Sequence, residues 1–520
     1  PTKQRKTLWQ EQTTLDPKAS TLSLDGRGHV WSLAPADISG FGLGQSSSAK
    51  LFLFCRDAAA DLIAFLLDDV VRDGHTGFVV GPPGSGKSST AAVFALALPR
   101  TSAWVVTWIH LIRDEPPICV RLEGNEKKTF KLLTPDLDDL VAILFEVEDT
   151  KHHVVFLDGV TQNDTELKVC TGWVRQKWDT RRLVLVTSMS SRRKVKLDDD
   201  AGKKAMQHNV PSWNLDEYLK AVEDDELFQS VLPYLDASDD EEVPTDAASM
   251  RTWRELILLS KFYFAGGNAR YMFGYPTATV MEALDDAVKA AVDNPPAAIG
   301  LVWEQSASVI ARLYGSFGGN LGLISRYAAT GLAVAGGAEL VKRFASILRK
   351  DSNAAVDGWI VDMYFFARIR KGGLVVYEGE NVVEFPQSIV VVVDPTNLPV
   401  LPTKCWLKPK RYNQGGYDAV YIDKDEGLVR FVQVAKNDRE SFLIHHFKVL
   451  LDSLEKTALA AVNKLEIFCA IEKQKMPNFA YSTVMGQGHL EKFGWAENEE
   501  SSKVSRVAIK GVEIWDVLGW

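Results

Sequence analysis

An α/β fold in two parts is what the sequence predicts, and three observations carry that expectation. The apolar run Gly77-Phe78-Val79-Val80 leads through Gly81-Pro82-Pro83-Gly84-Ser85-Gly86-Lys87-Ser88 into Ser89-Thr90-Ala91-Ala92-Val93-Phe94-Ala95-Leu96, a strand, a glycine-rich turn and a helix in succession. Short apolar runs then alternate with helical periodicity, the pattern of a parallel sheet buried on both faces. Past Pro295-Pro296 the pattern starts afresh with helices and then a set of strands, which marks off a second part.

A chain of 520 residues is too long for one core and suggests about two to four domains. Hydrophobic residues at 46% and charged residues at 24% describe a globular protein with large cores. The net charge of -9 excludes a uniformly basic coat, so a nucleic-acid contact needs a local basic patch. Cys55, Cys119, Cys170, Cys405 and Cys469 are odd in number, far apart and without C-x-x-C spacing, which points to thiols in a reducing compartment. The apolar stretch near Gly331-Leu332-Ala333-Val334-Ala335 is broken by Glu339 and Lys342, too soon for a membrane span. Pro1-Thr2-Lys3 has neither an initiator Met nor an apolar signal core, as expected of a trimmed fragment.

The turn at Gly81 to Ser88 has the G-x-x-x-x-G-K-[ST] spacing, and its context gives the spacing meaning. Its glycines let backbone N–H groups wrap a phosphate, and the helix that follows presents the positive end of its dipole. Lys87 supplies a charge for the β- and γ-phosphates, Ser88 a hydroxyl for Mg²⁺, and Ser89 continues the helix start. The expectation is a P-loop NTPase of STAND or AAA-like type on a parallel sheet, binding ATP or another NTP with Mg²⁺.

In chain order, residues 1–48 read as a lead-in segment and linker, 49–210 as the NTPase core, 211–297 as a helical lid with an acidic insertion, and 298–520 as the second domain. Leu51 to Val71 suits a helix through Leu62, Ile63, Phe65, Leu66 and Leu67. Trp104 to Ile109 reads as a buried strand, with a hairpin inserted over Ile118–Leu122 and Thr129–Leu133, and an amphipathic helix over about 136–148. His153-Val154-Val155-Phe156-Leu157-Asp158 is an apolar strand ending in an acid, and its C-terminal tip is where such a sheet binds ligand. Asp158 is therefore expected beside Ser88 at the metal. Gly159 follows where many ATPases place a Glu that polarises water, leaving Asp164 and Glu166 as substitutes. Leu183 to Val186 forms the next strand, and Thr187 and Ser188 either sense the γ-phosphate or cap a turn. Arg192-Arg193-Lys194-Val195-Lys196 is either a nuclear-import or nucleic-acid patch or a solvated loop. A helical region follows over 215–234, then the acidic Asp239-Asp240-Glu241-Glu242, then a helix over 253–264. In Gly266-Gly267-Asn268-Ala269-Arg270, Arg270 reads either as a lid arginine reaching the nucleotide or as an ordinary helix-start arginine.

The second part is expected to open with helices at about 298–315 and 337–349, then strands at Trp359–Phe365, Gly373–Tyr377 and Ser388–Asp394. Asp418 begins the strand through Asp423, and after a turn Leu428-Val429-Arg430-Phe431-Val432-Gln433-Val434-Ala435-Lys436 returns as its antiparallel partner. An acid, a polar residue inside an apolar strand and a lysine form the pattern of a metal-dependent nuclease. Oxygens hold Mg²⁺ against a phosphate, and the ammonium positions water or stabilises developing charge. Gln433 and Ala435 share a face while Lys436 points to the other. Either a bulge re-aims Lys436, or Lys448 on the following helix takes its place. A fortuitous hairpin remains the alternative to a site.

These motifs together resemble the Crinkler effectors of oomycetes and related eukaryotes, and the retrotransposon-hot-spot proteins. The resemblance rests on the P-loop, Asp158-Gly159, the Gly-Gly-x-x-Arg lid, Trp406-Leu407-Lys408, Asn413-Gln414-Gly415-Gly416-Tyr417-Asp418-Ala419-Val420 and Phe431-Val432-Gln433-Val434. It covers about residues 50 to 520 and implies an NTPase joined to a restriction-endonuclease-like, PD-(D/E)XK α/β domain. It further implies secretion, delivery to a host nucleus, DNA and host nuclear proteins as partners, DNA cleavage and cell death. Carried over by position, Lys87, Ser88 and Asp158 hold the nucleotide and metal, and Asp418, Gln433 and a lysine serve the nuclease, with metal on Asp418 and Gln433. The family tends to carry a Glu on the first nuclease helix, where this chain has Ser325 in Gly322-Leu323-Ile324-Ser325-Arg326. A domain that binds DNA without cutting it, acting as a nucleotide-switched effector, is the alternative.

Overall fold

A computed structural model describes residues 9, 11–15, 26–43, 50–111, 115–132, 137–160, 165–189, 205–235, 244, 246–294, 309–348, 354–378, 380–409, 416–435, 439–457, 459, 461–486, 488–496 and 508–512. They form two compact units. One comprises Pro1–Arg254, Ala265–Thr277 and Tyr314–Leu321; the other comprises Glu255–Phe264, Ala278–Leu313 and Gly322–Trp520.

The first unit contains β1 (Glu11–Thr14), β2 (Val30–Leu33), β3 (Leu51–Phe54), β4 (Thr76–Gly81), β5 (Val105–His110), β6 (Ile118–Glu123), β7 (Glu126–Lys131), β8 (His153–Val160), β9 (Arg181–Ser188) and β10 (Ala205–Asn209). Eight of them make one sheet in the order β1-β7-β6-β5-β8-β9-β4-β10. From β5 to β10 every neighbouring pair is parallel, whereas β6, β7 and β1 add antiparallel strands at one edge. Alternate residues of the parallel strands serve opposite layers. Val79, Val106, Trp108, Val154, Phe156, Val184 and Val186 join one core with the helix α1 (Lys87–Thr101). Phe78, Val80, Ile109, Val155, Leu157, Leu183 and Leu185 join the other, under α2 (Asp138–Phe145) and α3 (Thr165–Gln176). Strands buried on both faces need apolar side chains at every position, which is why these runs do not alternate with polar residues.

Two expectations for the first seventy residues are corrected. The described part of residues 1–48 is not a lead-in. β1 pairs with β7, and Leu15, Trp31, Leu33, Ile38 and Phe41 are buried in the core shared with α1. Leu51 to Val71 is not one helix either, because residues 51–54 form β3 against β2, and the helix Asp57–Phe65 runs into a π-helical stretch at Leu66–Arg72. The four residues of Leu51-Phe52-Leu53-Phe54 are too few for periodicity to tell strand from helix.

Helices α4 (Leu215–Ala221), α5 (Asp225–Val231), α6 (Ala247–Ala265), α7 (Ala269–Gly274) and α8 (Thr277–Asp293) follow. Asn214 and Glu217 close a capping box on α4, and Asp224 caps α5. Next come β11 (Tyr314–Phe317) and β12 (Asn320–Leu323). Residues 310–317 are thus a short 3₁₀ turn and a strand, correcting the helix expected there, while 298–308 lie outside the described residues.

The second unit carries α9 (Arg326–Gly336), α10 (Ala338–Leu348) and α11 (Ala354–Lys371), then β13 (Leu374–Glu378), β14 (Asn381–Phe385), β15 (Val390–Val393), β16 (Lys404–Pro409), β17 (Ala419–Asp423), β18 (Leu428–Val434), β19 (Arg439–Leu443), α12 (His445–Thr457), β20 (Lys464–Glu472), β21 (Ala480–Met485) and β22 (Ala508–Val512). Its main sheet runs β14-β13-β22-β20-β18-β17-β16-β15. β16, β17 and β18 form an antiparallel meander, and β20 returns parallel to β18 after α12. Phe447, Leu450, Leu451 and Leu454 of α12 are buried with Val420, Ile422, Val429, Phe431 and Ile467 of the sheet. The strand expected at Trp359–Phe365 is corrected to the middle of α11. Met363, Tyr364, Phe365, Phe366, Ala367 and Ile369 are all buried, so the helix is apolar around most of its circumference and shows no 3.6-residue stripe. No helix among the described residues is long and apolar enough to cross a membrane, and the five cysteines are buried thiols.

Candidate functional site: a phosphate-binding loop and an acidic strand tip

The glycine-rich loop joins the C-terminal end of β4 to α1. Gly84 (φ +72°) and Gly86 (φ +91°) take left-handed backbone conformations, and Gly86 is the N-cap of α1. Gly84 has a second constraint, because a Cβ there would lie 1.7 Å from Asn268 Oδ1. Asn268 caps α7 by accepting from the N–H groups of Arg270 and Tyr271 at 3.1 and 3.2 Å, and Ala269 N donates to Gly84 O at 3.0 Å. The Gly266-Gly267-Asn268 segment thus docks the start of α7 directly on the phosphate loop.

Lys87 and Arg270 both line a cavity of ≈ 360 Å³, along with Pro83, Gly84, Ser85, Gly86, Ser88 and Ser89. Lys87 Nζ donates to Pro82 O at 2.9 Å. Burial pulls the Lys87 ammonium down to about 8; Asp158 opposes that shift and Arg270 adds to it. Placing two cations here is unfavourable in the protein alone, which suits a site for a polyanion. Ser88 Oγ donates to Asp158 Oδ1 at 2.8 Å. A hydroxyl and a carboxylate are hard oxygen donors, the set that fits Mg²⁺. The cavity also has an apolar wall that includes Leu43, Phe52, Trp213 and Phe273.

β9 lies between β4 and β8, so Ser188 is opposite Gly81 and half-buried, though it is not among the residues lining the cavity. Thr187 donates its hydroxyl to Val160 O at 2.9 Å, a structural bond. Gly159 (φ +89°) sits at a register shift in β8, and a Cβ there would lie 2.6 Å from Leu111 O. That backbone contact leaves no room for a glutamate after Asp158. Glu166 is half-buried on α3 and does not line the cavity; burial raises the nearby Cys119 and Cys170 thiols, and Glu166 adds a lesser push in the same direction. Asp164 lies outside the described residues.

Sequence reasoning missed two residues here. His110 ends β5 directly opposite Asp158, and its Nδ1 is 3.0 Å from Asp158 Oδ2. Arg56, buried at 3% exposure, donates to Ser85 O at 2.9 Å and to Ser212 O at 3.2 Å, pairs with Glu217 at 3.1 Å and lies over the Trp213 ring. The only sequence signal for either was position: a polar residue ending an apolar strand and an Arg before a helix.

In the second unit, Asp418 immediately precedes β17. Its N–H donates to Val432 O at 2.8 Å, and its Oδ2 accepts from Val434 N at 2.7 Å. The β17–β18 register pairs Ala419 with Val432, and its continuation by one step sets Asp418 opposite Gln433. Both are half-buried. Lys448 is exposed on α12, and Lys436 lies outside the described residues, as do Gln414, Gly415 and the basic cluster at 192–196. Gly416 (φ +100°) packs so closely on Phe447 that a Cβ would lie 2.6 Å from its ring. Ser325 is fully buried and caps α9 through Ala328 N. Asp362 of α11 is 5% exposed and ion-paired with Arg326. Arg326, Asp362 and Asp418 all act on Tyr263, whose hydroxyl burial pushes up to about 12. Lys408, also buried, lies 4.3 Å from the Phe366 ring centre.

No family model matches the chain, and no curated protein matches it. Among solved structures it is similar to a point variant of Thermotoga maritima RuvB, at 12% identity and TM-score 0.29 over 53% of this chain and 93% of that one. It is also similar to Cdc6p from Pyrobaculum aerophilum, at 9% identity and TM-score 0.24 over 63% and 89%, and to C. elegans PCH-2, at 13% identity and TM-score 0.26 over 47% and 66%.

Proposed function

We propose that the first unit binds a nucleoside triphosphate with Mg²⁺ and hydrolyses it. The observation that carries this reading is the convergence of Lys87, Ser88 and Arg270 on one cavity, with Asp158 bonded to Ser88. Loop amides from Gly84 to Ser88 and the start of α1 take the phosphates, and Lys87 and Arg270 balance their charge. Ser88 and Asp158 would hold Mg²⁺, which when bound neutralises phosphate charge. The aromatic wall offers a face to the base. Equilibrium binding of fluorescent ATP with and without Mg²⁺, and phosphate release, test this. Wild type is expected to bind in a Mg²⁺-dependent way and Lys87→Ala to lose about tenfold or more in affinity; equal binding by both would refute it.

A second reading concerns the other unit, and the observation favouring it is the opposition of Asp418 and Gln433 at the open end of β17–β18. We infer that this unit engages DNA and cleaves it with Mg²⁺ held by those two oxygens, the strand order β16-β17-β18-α12-β20 supporting a restriction-endonuclease-like domain. The motif resemblance supports an effector role in a host nucleus, with ATP state as its switch. Plasmid nicking by wild type, Asp418→Ala and Gln433→Ala discriminates: nicking lost in both variants supports cleavage, and DNA binding without nicking supports the non-cleaving switch.

A further inference from the structure

His110 lies outside both the glycine-rich loop and the strand that carries Asp158, yet it makes the second contact to the carboxylate of Asp158. The two residues are register partners, His110 at the end of β5 and Asp158 just before the register shift near the end of β8, with Nδ1 of the imidazole 3.0 Å from Oδ2. Because a carboxylate oxygen accepts, Nδ1 carries the proton and donates. Asp158 is 4% exposed and holds Ser88 through its other oxygen at 2.8 Å. One carboxylate is therefore gripped from two sides, its Oδ2 by a ring and its Oδ1 by the hydroxyl at the start of α1. The opposite edge of the ring is held as well. Gly42 has φ +72°, and a Cβ on it would lie 2.1 Å from His110 Nε2. No side chain other than hydrogen fits beside the imidazole at that point.

We infer that His110 is a positioning residue for the metal-holding carboxylate, and that Gly42 is glycine so that the imidazole can be clamped against Asp158. This rests on the reading of Ser88 and Asp158 as the Mg²⁺ residues of a nucleotide site. Without the Nδ1 donor, Asp158 would be held through Oδ1 by Ser88 alone, and its Oδ2 would have to be oriented by the metal itself at the cost of affinity. Partners that orient a ligating carboxylate are typically worth about 10- to 100-fold in metal affinity. Gly42 also lines the nucleotide cavity, so the segment before β3 reaches the metal residues through a single ring.

The test is the Mg²⁺ concentration at half-maximal binding of fluorescent ATP, together with the affinity for the same probe in EDTA. His110→Phe keeps the bulk of the ring and removes the donor, and it is expected to raise the Mg²⁺ midpoint by about tenfold. Its affinity in EDTA should stay at the wild-type level, which a general loss of structure would not allow. His110→Asn places an amide N–H near the position of Nδ1 and is expected to fall within about threefold of wild type. Gly42→Ala displaces the ring without altering it and should shift the midpoint in the same direction as His110→Phe, so it carries the test alone if His110→Phe does not fold. A wild-type Mg²⁺ midpoint in both variants overturns the inference while leaving the nucleotide site standing. Wild-type binding that responds neither to Mg²⁺ nor to Lys87→Ala overturns the nucleotide reading and this inference with it.

Discussion

Lys87 is the residue at which the chemistry of the first unit can be read most directly. Its ammonium is buried and titrates near 8 rather than near 10.5. A phosphate tail needs the charged form, so above pH 8 the free protein must take up a proton to bind. Affinity for ATP is expected to fall above that pH by up to about tenfold per unit, and the decline should vanish in Lys87→Met. The stability of the ligand-free protein moves the other way. Between about 8 and 10.5 the unfolded chain keeps a proton that the folded one has lost, so stability rises with pH across that window. Lys127, which donates to Asp37 O at 3.0 Å and Ser39 Oγ at 2.7 Å and is also lowered to about 8, adds to the same slope. At neutral pH, Lys87→Met removes a buried charge held against burial. It is expected to raise stability by on the order of 1 kcal/mol while ATP affinity is weakened, as read by thermal melting with and without ATP.

Elements show why some of this was legible and some was not. The loop, α1 and the strand ending in Asp158 stood out because the chemistry is contiguous in the chain: a glycine spacing, a lysine and an apolar run ending in an acid. His110 did not stand out, since its role comes from cross-strand register and nothing within its own strand announces it. Asp362 reads as a strand residue in the sequence because α11 is a helix whose surroundings are apolar on most sides. Its pairing with Arg326 carries weight in the second unit. Asp362→Ala removes that ion pair from a half-buried guanidinium and is expected to cost about 2 kcal/mol, measured as a lower denaturant midpoint. The dock of α7 on the phosphate loop behaves as a cap plus a steric fit. Asn268→Ala should cost about 1 kcal/mol from the lost cap. Gly84→Ala, strained at φ +72° and facing Asn268, should weaken nucleotide binding more than Asn268→Ala does, which the same fluorescent titration would show.

At the scale of the whole molecule, the two units do not follow one another along the chain. Tyr314–Leu321 belongs with residues as early as Ser212, whose N–H donates to Ser316 O at 2.7 Å and whose Oγ accepts from Ser316 N at 3.1 Å. A fragment of residues 1–297 lacks β11 and is expected to be less stable and to bind ATP more weakly than one of residues 1–321, as followed by melting and titration. The acidic-strand and lysine pattern of the second half was legible only as local spacing. That β20 and β22 complete its sheet in parallel depends on pairings between strands far apart in sequence, which no short motif encodes.

The late return of Tyr314–Leu321 to the first unit also affects its birth on the ribosome. After Thr277 has emerged, the nascent first unit must wait a few seconds, at ordinary elongation speeds, for the strand that completes it. Until then the Ser212 backbone N–H has no Ser316 carbonyl to bind.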